Sequence, residues 1–220
     1  MRMLAQPCYF CSMYALLLFL LPLSVPACAA WFPKGDSRPY RLAVRGSVMA
    51  LPSLLIWLLL QRLHQPSWGS ALLILTIFAR YLFIPAALFV GSFVLSSGLR
   101  NVERGIGFKD LLYYSLGFFS VYNILFTISL WGERYYAYTL LLPIMIAATA
   151  LALPPLIENA VRYGMPDGLR WILAALAGLL LAATAFSLLF LRLEWLGIIL
   201  CLAYSTGAAS LGLIRLAHSR

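Results

Sequence analysis

Charge is scarce in this chain, and acid is scarcer still. Only 10% of the 220 residues are charged, where a soluble domain carries roughly a quarter. Just seven are acidic: Asp36, Glu103, Asp110, Glu133, Glu158, Asp167 and Glu194. All seven fall outside the long apolar runs. Pumps and cation transporters keep a carboxylate inside the membrane to bind and release their ion, so coupling through a buried acid is disfavoured.

Histidine is nearly missing, with only His64 and His218. An intramembrane metalloprotease needs clustered His and acidic ligands, and a serine hydrolase needs a base beside its nucleophile. Neither pattern occurs. Both lysines, Lys34 and Lys109, lie between apolar runs, so none is placed for a Schiff base within a helix. The sequence offers no catalytic residue, no metal site and no cofactor motif, and the chain reads as non-catalytic.

Cysteine is sparse as well: Cys8, Cys11, Cys28 and Cys201. Cys28 and Cys201 sit in apolar runs and read as small packing residues. Cys8 and Cys11 form a C-x-x-C, but no further Cys or His ligand lies nearby. They read as two thiols at the end of the first run.

What the chain has is hydrocarbon, at 63% hydrophobic residues. That much apolar surface cannot hide in one small core, so lipid must be part of the solvent. Seven apolar runs are separable, at residues 9–31, 42–63, 70–99, 111–131, 136–157, 169–191 and 195–214. Each is near the ~20 residues that a membrane helix needs. The expected fold is therefore all-α: one integral membrane domain over residues 1–220, a polytopic bundle of seven helices. Five of the six tryptophans, Trp31, Trp68, Trp131, Trp171 and Trp195, lie at or near run ends, as an interfacial aromatic belt requires. Trp57 alone lies well inside a run.

The first run has a rival reading. Arg2, an apolar stretch and Ala27-Cys28-Ala29 resemble a cleavable signal peptide, which would leave six helices. Charge distribution opposes cleavage. Numbering the loops from the N-terminus, the N-terminal tail and even loops carry Arg2, Arg62, Arg134 and Arg192. The odd loops and C-terminal tail carry Lys34, Arg38, Arg41, Arg45, Arg100, Arg104, Lys109, Arg162, Arg170, Arg215 and Arg220. The positive-inside rule then places the N-terminus outside and the C-terminus in the cytosol, with the first helix retained. The expected location is multi-pass in a bacterial cytoplasmic membrane. The net charge of +9 reads as attraction to anionic headgroups, and no nucleic acid is expected as a partner.

Within the runs, polar groups cluster in the fourth. Asn123 is the one amide in any apolar core and must find a partner in the bundle. Tyr113, Ser120, Tyr122 and Asn123 could line a ligand cavity, though an interhelical hydrogen bond is the simpler use of the amide. Arg80 is the only charge embedded deep in a run, away from its ends. The run holding it is too long for one ordinary crossing, about 45 Å against ~30 Å of hydrocarbon. Arg80 is thus either an interfacial anchor or a buried group needing carbonyl, hydroxyl, amide or anionic partners.

Small residues recur at four-residue steps: Ala174, Gly178 and Ala182 in run six, Ala203 with Gly207 and Ala208 with Gly212 in run seven, and Ala87 with Gly91 in run three. Such ridges admit a neighbouring backbone, so Ala174, Gly178, Ala182, Ala203 and Gly207 are expected to pack helices. Glu158 and Arg162, four apart, are expected to form an exposed pair on an extended fifth helix. Two function classes remain: a ligand- or partner-binding signalling or complex subunit, and a small transporter or channel subunit for an anionic or neutral solute. Membrane lipids and another membrane subunit, or a second copy in a homo-oligomer, are the expected partners.

Overall fold

The computed structural model describes residues 38–63, 70–97, 107–130, 141–191 and 193–218, and among them every regular element is helical. The run at 9–31, with its C-x-x-C and signal-like sequence, lies outside the described residues, as do Trp31, Trp68 and Trp131. Runs two to seven become α1 (Arg38–Leu63), α2 (residues 70–97), α3 (Phe108–Leu130), α4 (Leu141–Tyr163), α5 (Asp167–Leu188) and α6 (Glu194–His218). Five of these six are long and apolar enough to cross a membrane. Their outer faces agree: Leu55 is 64%, Leu95 84% and Ile199 60% exposed. Water does not tolerate apolar surface spread this widely, and the chain is a multi-pass membrane bundle.

The sixth, α3, is enclosed by the others. Every residue from Leu111 to Ser120 is buried. It runs parallel to α1, since Gly46 meets Tyr114 and Trp57 meets Tyr122 and Phe126. It runs antiparallel to α4, where Ser115 donates to the Ala150 carbonyl at 2.7 Å and Asn123 to the Pro143 carbonyl at 3.1 Å. α2 runs antiparallel to α3 along a row of rings, and α5 and α6 complete the bundle against α4.

Glycine decides how closely α1 and α3 approach. A Cβ on Gly117 would collide with the Ala43 carbonyl, and one on Gly46 with the Tyr114 carbonyl. Ser47 ties the crossing by donating its hydroxyl to the Gly117 carbonyl at 3.0 Å, shared with Ala43 of its own helix at 3.1 Å. Small residues let two backbones touch, and dispersion then works at short range.

The same end of the bundle holds the starts of α1, α3 and α5 and the ends of α4 and α6. Arg38 pairs with Asp110 at 2.6 Å across α1 and α3. Arg215 of α6 pairs with Glu158 of α4 at 3.1 Å. This corrects the expected Glu158–Arg162 pair: α4 does extend to Tyr163, but Glu158 turns inward, its side chain 14% exposed, toward the neighbouring helix. Gly164 closes α4 with φ of 62°, a left-handed conformation that glycine adopts freely.

Candidate functional site

Two features of the bundle carry chemistry beyond packing. The first surrounds α3. Its residues Tyr114, Phe118, Tyr122 and Phe126 recur every four positions, so their rings line one helix face. Consecutive centroids lie 6.4, 5.0 and 5.6 Å apart. Phe89 and Phe93 of α2 close on this stripe, and Tyr114 donates to Ser92 at 3.0 Å.

The four α3 residues that could line a ligand cavity, and Arg80, are divided by this arrangement. Tyr122 is fully buried in the ring stripe, beside Trp57 and Phe126. Asn123, one residue on, reaches the opposite neighbour, α4, through the Pro143 carbonyl. Ser120 returns its hydroxyl to the Leu116 carbonyl of its own helix at 2.6 Å. Tyr113 is buried two turns below Ser120. Arg80 bonds to neither Tyr122 nor Asn123: its Nε, the Tyr122 hydroxyl and the Asn123 Oδ1 are buried without a hydrogen-bond partner among the described residues. Among the described residues these side chains turn to different partners. Neighbours in sequence on a helix face different directions, and four of the five share one helix.

Arg80 contributes through its backbone. Residues Phe78–Phe83 form a π-helical turn, in which the Ile84 N–H reaches back five residues to the Ala79 carbonyl. In a regular α-helix that N–H would have served the Arg80 carbonyl. The next residue, Pro85, has no N–H to offer. The Arg80 carbonyl therefore has no donor in its own helix, and Trp57 of α1 supplies one: its Nε1 lies 2.7 Å away. The Arg80 guanidinium stands 5.4 Å from the Tyr81 ring centroid, partly exposed.

The second feature is a groove of about 410 Å³ between α5 and α6, floored by α4. Ala174, Gly178, Ala203 and Gly207 line it, with Thr149 and Tyr204 at its base. This overturns the expected role of those small residues. A Cβ on Gly178 or Gly207 would meet nothing within 4 Å, so neither glycine admits a backbone. Ala174, Ala203 and Gly207 are exposed. Ala182 is the member of the set that packs, fully buried, and Gly212 makes the close approach of α6 to α4, against the Leu151 carbonyl. The same holds in α2, where Gly91 has open space.

The groove's polar groups are already satisfied. Thr149 donates to the Met145 carbonyl at 2.7 Å, leaving its oxygen to accept from Tyr204 at 2.9 Å. At the end of the bundle where α5 starts, the groove shares Ala174 with a second recess of about 450 Å³, lined by Tyr163, Asp167, Arg170 and Trp171. There Tyr163 and Trp171 stack with centroids 6.4 Å apart, and Asp167 faces Arg170 at 3.7 Å. Among the described residues no three His, Cys, Asp or Glu side chains gather to hold a metal. No protein-family model, curated protein or solved structure matches this chain.

Proposed function

We propose that the chain is a non-catalytic integral membrane protein of seven helices, N-terminus outside and C-terminus in the cytosol, that takes a lipophilic ligand from the bilayer into the α4–α5–α6 groove. One observation supports this above the others: the groove is apolar, opens sideways through exposed small residues, and asks its occupant for no hydrogen bond. A pocket whose polar groups bond to each other favours hydrocarbon over a polar solute. Orientation is supported by Arg38, Arg41, Arg45, Lys109, Arg162, Arg170 and Arg215, which share one end of the bundle. Reporter fusions after Gly168 and after Arg220 should read cytosolic, and fusions after Gly132 external. A cytosolic reading at Gly132 refutes the seven-helix count.

The ligand reading is tested with Gly178→Leu. A Cβ at this position meets nothing within 4 Å and the position lines the groove, so the variant should fold with its melting temperature unchanged or raised. In vesicles doped with a phospholipid bearing a photoreactive acyl chain, crosslinks to α5 and α6 in the wild type should disappear in the variant. Labelling that is even over all outward faces, and indifferent to Gly178→Leu, would remove the groove from function.

The transport reading draws on the unbonded Arg80, Tyr122 and Asn123 atoms. Tyr122 and Asn123 turn to different neighbours, which gives a solute no shared path. Solute flux in proteoliposomes that Arg80→Gln abolishes would favour it instead.

A further inference from the structure

We propose that the groove's occupant is one acyl chain of a phospholipid whose headgroup carries both a phosphate and a primary ammonium, the phosphate held by Arg170 and the ammonium by Asp167. This rests on the groove reading above and names the ligand class.

The groove and the recess at its mouth share the wall at Ala174. Ala174 lies seven residues into α5 from Asp167, a rise of about 10 Å. A headgroup at Asp167 and Arg170 therefore delivers its chain directly into the apolar part. On α6 the groove is lined from Leu200 to Leu211, about 16 Å of helix, close to the ~15 Å depth of one hydrocarbon leaflet. The dimensions fit a chain from the leaflet on the cationic side.

The mouth selects the headgroup by charge. Arg170 and Asp167 sit on successive turns with side chains 84% and 61% exposed, and their 3.7 Å separation is too long for a hydrogen bond. Each therefore keeps its bonding capacity. The guanidinium presents a planar fork of N–H donors that suits phosphate oxygens, and the carboxylate accepts hydrogen bonds from an ammonium. A purely anionic headgroup would gain Arg170 but meet the Asp167 carboxylate. A quaternary ammonium carries no N–H to give it. Only a head with both a phosphate and an N–H-bearing cation satisfies both residues. Of the charges on the neighbouring ends of α4 and α6, Glu158 is occupied by Arg215, and Arg162 stands exposed at the end of α4. Tyr163 and Trp171, stacked beside the pair, place amphipathic rings at headgroup level.

The test uses the full chain, delipidated in mild detergent. Phosphatidylethanolamine, phosphatidylcholine and phosphatidylglycerol with identical acyl chains are titrated in turn, with binding read by native mass spectrometry. The wild type should prefer phosphatidylethanolamine by about tenfold, the size of one charge-assisted hydrogen bond. Asp167→Asn keeps a residue suited to a helix start and should erase that preference, improving phosphatidylglycerol. Arg170→Gln should weaken all three lipids, and Gly178→Leu should abolish binding of all three. Equal binding of the three lipids by the wild type, or a preference that survives Asp167→Asn, overturns the headgroup assignment while leaving the groove intact. Undiminished binding by Gly178→Leu overturns the groove itself. A doubled mass that Gly207→Leu converts to monomer would put a second copy there instead and overturn both.

Discussion

Gly117→Ala is expected to destabilise the bundle severely, and Gly117→Leu to prevent its assembly. The added Cβ would strike the Ala43 carbonyl, a backbone atom that cannot swing aside. α1 and α3 would have to separate along their whole crossing, losing the Ser47–Gly117 bond and the packing of Ala50, Leu54 and Trp57. Overpacking a core typically costs about 1–3 kcal/mol; a collision with backbone at the tightest crossing should reach the upper end for alanine and exceed it for leucine. Gly46→Ala should behave alike, since its Cβ meets the Tyr114 carbonyl. Thermal unfolding in detergent checks this, with Gly91→Ala and Gly178→Ala as controls that open space predicts to be silent. Equal melting temperatures for Gly117→Ala and Gly91→Ala would show that the two helices do not touch here.

The contrast between those glycines marks where the sequence stops being informative. α5 carries Ala174, Gly178 and Ala182 at four-residue steps, and α1 carries Gly46 and Ala50, with Ala43 and Ser47, at the same spacing. Spacing announces that a face is small without saying what lies opposite. In α1 a backbone fills the space, and in α5 a groove does. Runs two to seven were legible because lipid demands long apolar runs: their expected starts and ends fall within about six residues of the bounds of the described helices. Two of the differences lie at charged ends. Arg38 and Asp110 extend α1 and α3 because each finds the other across 72 positions. Glu158 likewise takes Arg215, 57 positions away, over Arg162 one turn along. Pairings at such separations leave no local trace.

The aromatic face of α3 is legible in its sequence. Its hydroxyl and amide groups left a polar cavity open beside the simpler interhelical hydrogen bond that Asn123 makes to α4, yet Tyr114, Phe118, Tyr122 and Phe126 recur at i, i+4 steps, a signal fully present in the sequence. That period makes a single aromatic face, and it turns Tyr122 away from Asn123. The groove was not legible, because it depends on how far apart α5 and α6 stand over α4.

Trp57→Ala is expected to cost about 3–5 kcal/mol, the range for deleting a large buried ring, since Trp57 is 2% exposed and packs on Tyr122 and Phe126. Trp57→Phe is the more informative change. It keeps a ring in the stripe but removes the one donor to the Arg80 carbonyl, which the π-helical turn and Pro85 together deprive of a helical partner. An orphaned buried acceptor costs about 1–3 kcal/mol, and that is the expected loss in unfolding free energy. Pro85→Ala should then repair it. An alanine at 85 restores a backbone N–H in the register that reaches Arg80, and it also lets the turn relax to α-helical bonding through Ile84. The cost of Trp57→Phe should therefore shrink by about 1–2 kcal/mol in the Pro85→Ala background, a coupling that a double-mutant cycle resolves. An equal cost in both backgrounds would mean that the indole serves as packing alone. A full coupling would make Trp57 the residue that allows α2 to carry its π-helical turn through the bundle.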